Sequence, residues 1–176
     1  PEVTEWLITL PKTAVVPTTV VIETVGAPQL LAQPFVVEAN REGAFILPAH
    51  HAVVHGNLLR YEPQPHKNTV GYWANEKDWC EWKVDIDKPG RYDVIILQGC
   101  GKGHGGSEVR ISSGKSDLAF VVEDTGHFQN FKERLVGTLE LTMGENQSIK
   151  VVPITKAKAA IMDVRQIRLE PSADQP

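Results

Sequence analysis

Aromatic rings among polar side chains make residues 69–79, TVGYWANEKDW, the stretch best suited to binding chemistry. Tyr72 and Trp73 lie between a glycine and a run of amide, acidic and basic residues, where a buried core would not place them. A flat ring beside hydrogen-bonding groups suits a ligand with apolar faces and polar edges, such as a sugar. We expect both rings to stack on a sugar, and Asn75 and Asp78 to hydrogen-bond its hydroxyls.

A second polar stretch with aromatic residues covers residues 123–134, EDTGHFQNFKER. It follows an apolar run and precedes a predicted strand, so Phe128 and Phe131 fall in or near a loop. These rings are either platforms for sugar stacking or plugs that close one end of the fold. We expect at most one of the two to be exposed, and we expect His127 and Asn130 to hydrogen-bond sugar hydroxyls.

Two other motifs are weak evidence for chemistry. Residues 99–107, GCGKGHGGS, lack the spacing of a phosphate-binding loop, so they are either a loop between strands or a loop whose amides, Lys102 or His104 line a cleft. On a strand, His51 and His55 would lie roughly 13 Å apart, too far for one zinc ion to bind both.

Paired carboxylates are the remaining option for catalysis, because glycoside hydrolysis needs an acid and an ionised partner on either side of the bond. A jelly roll this small usually lacks the deep cleft that such a pair requires. We therefore predict that this chain is not an enzyme. The available acids are Glu38, Glu62, Asp78, Glu81, Glu123, Asp124 and Asp163.

The composition fits one main domain with an additional segment. The chain has 176 residues, 41% of them hydrophobic, which supports a core. Its net charge of −4 argues against nucleic acid, which needs a concentrated basic face. No apolar run is long enough to span a membrane, and the first residues do not resemble a signal peptide. Because the chain begins at Pro1 rather than Met, we expect it to be a piece of a longer protein.

The pattern predicts an all-β fold, with many short strands and no long helical period. Such strands, separated by glycine- and proline-containing turns, are typical of a β-sandwich or jelly roll. We expect an N-terminal β-segment and linker at 1–34, a jelly roll at 35–170 and a flexible tail at 171–176. The predicted strands are 18–25, 35–39, 51–55, 79–87, 91–98, 107–112, 118–123, 136–142, 147–153 and 161–169.

Residues 79–98 alternate between apolar and polar side chains on both sides of a Pro-Gly turn at 89–90. This alternation predicts an antiparallel hairpin with one buried face that carries Trp82. The same register would place Cys80 opposite Cys100. The pair is either a disulfide, which would fit an exported protein, or two buried free thiols.

Residues 49–169 resemble the carbohydrate-binding modules of families 6 and 35, within the galactose-binding-like group of β-sandwiches. The order and spacing of several short motifs carry the resemblance. These are Gly71-Tyr72, Asp78-Trp79, Pro89-Gly90-Arg91-Tyr92, Thr125-Gly126 followed by Phe128 and Phe131, and Gly144-Glu145-Asn146.

That resemblance implies a sugar site at the loop end of the sandwich. Tyr72 would form one aromatic wall and Phe131 the other. In those modules a polar residue near the start of the final strand usually completes the site. Here Ile161 stands where the family often has asparagine, and Asp163 follows two residues later.

The resemblance also implies a possible structural calcium ion. The residues that correspond to the family's usual Ala-Glu are Ala49-His50 in one register. In the other register they are Glu38-Ala39-Asn40.

A shorter resemblance concerns the N-terminal segment. Residues 4–30 resemble the last strands of the small β-sandwich that ends family 29 α-L-fucosidases. The modules attached to bacterial sulfatases and glycosidases also look similar to residues 49–169. These likenesses imply that the chain is an accessory C-terminal region of a larger enzyme whose catalytic domain is absent here.

Together these features predict a non-catalytic carbohydrate-binding module, secreted or periplasmic, whose partners are a glycan and the catalytic domain of its parent protein. Two alternatives stay open. One is a structural or protein-docking sandwich without sugar affinity, and the other is a small glycosidase or lyase. The predicted site residues are Tyr72, Trp73, Asn75, Asp78, His127, Asn130 and Phe131.

Overall fold

Twelve β-strands account for most of residues 35–173, the part of the chain that the computed structural model describes. The predicted segment 1–34, including its strand at 18–25, lies outside this part. A short 3₁₀ helix spans Ala49–His51. In chain order the strands are β1 (Val36–Glu38), β2 (Phe45–Pro48), β3 (Val53–His55), β4 (Arg60–Glu62), β5 (Thr69–Gly71), β6 (Trp79–Ile86), β7 (Gly90–Cys100), β8 (Glu108–Ser113), β9 (Ser116–Val121), β10 (His127–Leu141), β11 (Gly144–Thr155) and β12 (Asp163–Pro171).

The strands form two sheets, which makes the fold the all-β jelly-roll sandwich that the sequence predicts. Sheet A has the order β1-β6-β11-β8-β9, and β3 also pairs with β6. Sheet B has the order β10-β7-β12-β5-β4, and β2 also pairs with β12. Most neighbouring strands pair antiparallel, although β1 runs parallel to β6.

Alternating apolar side chains from both sheets fill the core. Trp82 and Val84 on β6 are fully buried, as are Val94 and Ile96 on β7. Side chains at every second position of a strand point to the same face, so each sheet turns one apolar face toward the other. The buried faces of β6 and β7 are therefore those that the alternation predicts.

The predicted pairing of these two strands is wrong. β6 pairs with β11, whereas β7 pairs with β10 and β12 in the other sheet. The turn at 87–90 therefore crosses from sheet A to sheet B and closes no hairpin. Alternation reports that each strand has one buried face, but both sheets of a sandwich meet that condition, so the pattern does not determine which strands pair.

The two cysteines do not face each other, because β6 and β7 do not pair. Cys80 lies on β6 and Cys100 at the end of β7, in different sheets, and both are buried free thiols. Of the two alternatives, the structure has the free thiols. Burial raises the pKa of Cys100 to about 11, so its sulfur is held as an unreactive thiol.

The sequence pattern predicts none of the three short strands β2, β4 and β5, at 45–48, 60–62 and 69–71. His127, Phe128, Asn130 and Phe131 were expected in or near a loop, whereas β10 begins at His127. At the other end, Pro171 closes β12 and the amide of Ser172 donates to the carbonyl of Arg91. No helix within 35–173 is long and apolar enough to cross a membrane.

Trp82 provides a direct test of this core. Its side chain is fully buried and its indole N–H donates to the carbonyl of Pro48 at 2.7 Å. We expect Trp82→Ala to lower the free energy of unfolding by about 3–5 kcal/mol, because it removes a large buried surface and leaves a cavity. Urea denaturation of both proteins, followed by circular dichroism, measures this change. A loss below about 1 kcal/mol would contradict the placement of Trp82 between the sheets.

Candidate functional site

A buried carboxylate organises the loops at one end of the sandwich. Asp78 is fully buried, and its side-chain oxygens accept the backbone N–H groups of Asn57, Leu58 and Leu59 at 2.8–3.0 Å. Burial alone would raise the pKa of Asp78, but these hydrogen bonds outweigh desolvation and hold it below its ordinary value. The predicted contact between Asp78 and a sugar is therefore wrong, because the carboxylate is sealed inside and already bonded.

Trp73 also has a structural role. Only 1% of its surface is exposed, and its indole N–H donates to the Asp78 carbonyl at 2.9 Å. Its own carbonyl accepts the N–H of Ile161. The prediction that Trp73 presents a ring face to a sugar is therefore wrong. Asn75 belongs to the same network, since its amide donates to the Asp78 carboxylate and its oxygen accepts the Lys77 N–H.

Tyr72 is the exposed ring of this loop. Half of its surface, 53%, is accessible, and the Arg60 guanidinium covers one ring face at 4.1 Å from the ring centre. Its backbone φ of 58° lies in the left-handed region, which is unusual for a bulky side chain and costs roughly 1–2 kcal/mol. The hydrogen bonds of the flanking Trp73 hold this conformation, which projects the ring outward.

A wide bulge in β10 brings a second ring to the same end. His127 pairs with Cys100 and Lys132 with Gln98, so four residues of β10 face only Gly99 on β7. A Cβ at Gly99 would lie 1.9 Å from the Phe128 carbonyl oxygen.

A Cβ at Gly101 would likewise lie 2.5 Å from the Phe128 ring. Two glycines of the 99–107 segment therefore give clearance for Phe128. Contact with Phe128 thus accounts for two of the five glycines in this segment. His104 packs edge-on against the same ring.

His127 and Asn130, the other residues of 123–134 that were predicted to bind a sugar, do not line the cleft beside the Phe128 ring. His127 is exposed, and its ring Nδ1 accepts the backbone N–H of Gln129. Asn130 donates to the Thr125 carbonyl.

Phe131 is half-buried beneath Arg165, whose guanidinium carbon lies 3.8 Å from the ring centre. Arg165 also donates to the carbonyls of His66 and Lys67. Phe131 therefore supports the loop between β4 and β5, and Phe128 is the phenylalanine that joins Tyr72 at the cleft.

The cleft at this end has a volume of about 350 Å³ and combines aromatic with polar surface. Strands β4, β10 and β12 of sheet B, with the β4–β5 loop and the loops that follow β5 and precede β12, contribute its walls. The residues that line it are Glu62, Lys67, Tyr72, Trp73, Ala74, Phe128, Gln129, Ala160 and Asp163.

Two nearly buried carboxylates lie at the base of this cleft. Glu62 is 8% exposed and Asp163 is 4% exposed. Both approach Gly71, where an added Cβ would lie 2.8 Å from Asp163 Oδ1 and 2.9 Å from Glu62 Oε2, so these oxygens are at most about 6 Å apart. Lys67 donates to Glu62 Oε1 at 2.8 Å, and Gln129 donates to Asp163 Oδ2 at 3.4 Å.

The environment of Asp163 favours its protonated form. Burial, with the negative charge of Glu62 as a second cause, raises the pKa of Asp163 to about 7, although Gln129 and Lys67 act in the opposite direction. A cleft carboxyl that changes charge near neutral pH is a common property of functional sites.

The residues proposed for calcium offer little to the ion. In the first register, Ala49 is buried and His50 packs on His51, and neither side chain has an oxygen. In the second, the Asn40 side-chain oxygen already accepts two backbone N–H groups, and Glu38 is the single carboxylate of these three residues, although Asp85 and Asp87 line the same pocket. Among residues 35–173, no three His, Cys, Asp or Glu side chains are grouped to hold a metal. The first register does not fit calcium, which prefers several oxygen ligands.

Nothing in the sequence indicates Lys67 or Gln129 as cleft residues, and Glu62 stands only among the available acids. Phe128 is one of two candidate stacking rings, and Asp163 stands near the polar position that the resemblance implies. A signal for Asp163 was present, because a single acid interrupts the apolar run before the last strand. For Lys67 and Gln129 no local signal exists, since the loop between β4 and β5 places Lys67 and the bulge of β10 places Gln129.

The chain matches no family model and no curated protein. Solved structures of similar fold include the C-terminal family 6 carbohydrate-binding module of LamC, a marine laminarinase from Zobellia galactanivorans. The TM-score is 0.58 at 19% identity, over 72% of this chain and 98% of that one. A family 35 module from Clostridium thermocellum gives 0.57 at 19% identity, over 73% and 98%.

A third neighbour is the family 6 module CBM6cm-2 of Cellvibrio mixtus lichenase 5A, solved with cellotriose. Its TM-score is 0.55 at 18% identity, over 72% of this chain and 96% of that one. At such identities the likeness shows a common fold alone. The predicted likeness in fold to modules of families 6 and 35 is confirmed, whereas the link to a fucosidase stays a prediction.

The raised pKa of Asp163 predicts a pH-dependent stability. In the folded state Asp163 keeps its proton up to about pH 7, whereas an aspartate in the unfolded chain loses its proton at about pH 4. The folded state binds more protons in this window, so the free energy of unfolding should fall as the pH rises. We expect a loss of roughly 1–3 kcal/mol between pH 5 and pH 8 from this group.

Urea denaturation at several pH values measures this effect, and Asp163→Asn is the informative variant because it has no proton to lose. Its stability should change less with pH than that of the wild type over the same window. Equal pH slopes for the two proteins would show that Asp163 ionises normally.

Proposed function

We propose that this chain is a non-catalytic carbohydrate-binding module. The observation that carries the proposal is the cleft itself, where the exposed ring of Tyr72 and the ring of Phe128 lie beside the polar groups of Gln129, Asp163 and Glu62. Rings contact the apolar C–H faces of a sugar, and polar groups bind the hydroxyls at its edge.

The dimensions of the cleft agree with a small ligand. Its volume of about 350 Å³ lies at the lower end of the range for small-molecule sites, about 300–1,000 Å³. With each ring contact or hydrogen bond contributing about 1 kcal/mol net, we expect dissociation constants in the micromolar to millimolar range. Such weak binding is useful when it holds a tethered catalytic domain close to a polymer, because the second encounter is then intramolecular.

The finer part of the proposal concerns the parent protein. We infer that the module is an accessory C-terminal region of a glycoside hydrolase similar to α-L-fucosidases, or of a sulfatase, and that it is secreted or periplasmic. Residues 4–30, with their resemblance to the end of family 29 enzymes, support this inference. Extracellular or periplasmic glycans would then be the target to which the module holds its enzyme.

The carboxylate pair does not favour a glycosidase. Retaining enzymes place two carboxyl groups about 5–5.5 Å apart on either side of the scissile bond. Glu62 and Asp163 both converge on Gly71, so the strand backbone adjoins both oxygens. Glu62 is also paired with Lys67 at 2.8 Å. We therefore assign these acids to binding and propose no catalytic step.

A glycan array tests the proposal with two cleft variants. Tyr72→Ala and Phe128→Ala should each weaken binding by about five- to tenfold, since the loss of a stacking ring costs about 1–1.5 kcal/mol. Tyr72→Phe keeps the ring and should retain most of the affinity.

Trp79→Ala is the matched control. Trp79 stacks on His55 at 3.8 Å on the outer face of sheet A, away from the cleft, so its loss should leave glycan binding unchanged. Equal binding by Tyr72→Ala and the wild type would reject the assigned site. A wild type that binds no glycan at all would reject the function and favour the protein-docking alternative.

A further inference from the structure

In the carboxylate pair of Glu62 and Asp163, one oxygen of each residue accepts no hydrogen bond from residues 35–173. Lys67 occupies Glu62 Oε1 and Gln129 occupies Asp163 Oδ2. No hydrogen bond from the residues of 35–173 reaches Glu62 Oε2 or Asp163 Oδ1. These are the same two oxygens that approach Gly71, and neither is a fully buried orphan. Two free acceptors therefore lie close together at the base of the cleft.

We propose that Glu62 and Asp163 form a paired acceptor that selects a sugar presenting two adjacent hydroxyl groups at this position, and excludes one that presents a carboxylate or sulfate there. This inference rests on the proposed function and names the ligand chemistry that the same cleft takes.

Hydrogen-bonding chemistry supports this selectivity. An ionised carboxylate only accepts, and a hydroxyl donates, so two neighbouring hydroxyls satisfy both oxygens at once. A carboxylate or sulfate has no donor, and above about pH 7, where Asp163 is ionised, it would meet two acceptors of like charge in a partly desolvated space. Within residues 35–173, two cations adjoin the pair, and both face Glu62: Lys67 at 2.8 Å and Arg60 at 3.9 Å. Their pairing with Glu62 limits what either can offer to an anionic ligand at this depth.

Proton release is a second consequence. The charged groups nearest Asp163 are Glu62 from β4, which also lies 3.9 Å from Arg60, and Lys67 from the β4–β5 loop. On β7 the Cys100 thiol lies close enough for Asp163 to raise its pKa. The residues nearest from β5 and β10 are the uncharged Gly71 and Gln129. Hydroxyls that donate to Asp163 favour its ionised form, and this opposes burial and the charge of Glu62, which raise its pKa to about 7. A diol that binds below pH 7 should therefore displace a proton.

The first experiment uses the full chain and named monosaccharides. Saturation-transfer NMR with the methyl glycosides of fucose, galactose, glucose, mannose and xylose tolerates weak binding, and the methyl glycosides of galacturonic and glucuronic acid are the anionic probes. We expect at least one neutral glycoside to bind. Mono-O-methylation of either of two adjacent hydroxyls should weaken that binding about tenfold, the loss of about one charge-assisted hydrogen bond. The uronic acid counterpart should bind more weakly than its neutral form.

The second experiment follows the proton. Calorimetric titration of the same neutral glycoside at pH 6.5, in buffers with different ionisation enthalpies, should show proton release for the wild type and none for Asp163→Asn. Glu62→Gln should weaken binding as well. Glu140→Gln changes an exposed acid on β10 outside the cleft and should match the wild type. Thermal unfolding confirms that each variant is folded.

The outcomes separate this inference from the proposed function. Tighter binding of a uronic acid than of its neutral counterpart would overturn the paired acceptor and leave the carbohydrate-binding function standing. Equal binding after O-methylation of every hydroxyl in turn would do the same. A wild type that binds none of these sugars, and no glycan on the array, would overturn both.

Discussion

The hydrogen bonds of the buried Asp78 carboxylate are the interaction on which the cleft end of this molecule depends. The carboxylate accepts the N–H groups of the three consecutive residues after Gly56. The backbone carbonyl of Asp78 accepts the indole N–H of Trp73. A Cβ at Gly56 would lie 2.1 Å from the Asp78 oxygen, so this approach requires glycine. An ionised group deep in a protein is stable only when it is fully hydrogen-bonded, and here the bonds come from two loops that it ties together. With its neighbours fixed in this way, Tyr72 can hold a left-handed backbone and project its ring.

Strand β10 of sheet B contributes the second aromatic ring of the cleft through a local irregularity. In the bulge, four residues of β10 oppose the single residue Gly99 on β7. Only a glycine at this position leaves room for the Phe128 backbone. Phe131, at the other end of the bulge, packs under Arg165 and stabilises the loop that carries Lys67. Neighbouring aromatic residues thus take different roles, one lining the cleft and one supporting a wall, because a bulge re-aims successive side chains.

Local patterns predicted the architecture well and the site only in part. The alternation of Trp82 and its neighbours established which side chains are buried, and the turn signals indicated a jelly roll. The pairing of β6 and β7 could not follow from alternation, since both sheets bury one face. Exposure in loops has no periodicity, which is why Trp73 and Asp78 were expected at the surface. Glu62 and Asp163 meet only because β4, β5 and β12 lie side by side, a relation between residues far apart in the chain.

The central claim is that a sugar enters the cleft at the end of the sandwich, and chemical-shift mapping tests it most directly. The ¹⁵N-labelled chain would be titrated with the saccharide that binds on a glycan array, and its backbone amide resonances followed. The account predicts that the largest shifts fall at 71–74, Gln129 and Asp163. Shifts concentrated at His55 and Trp79, on the outer face of sheet A, would contradict it.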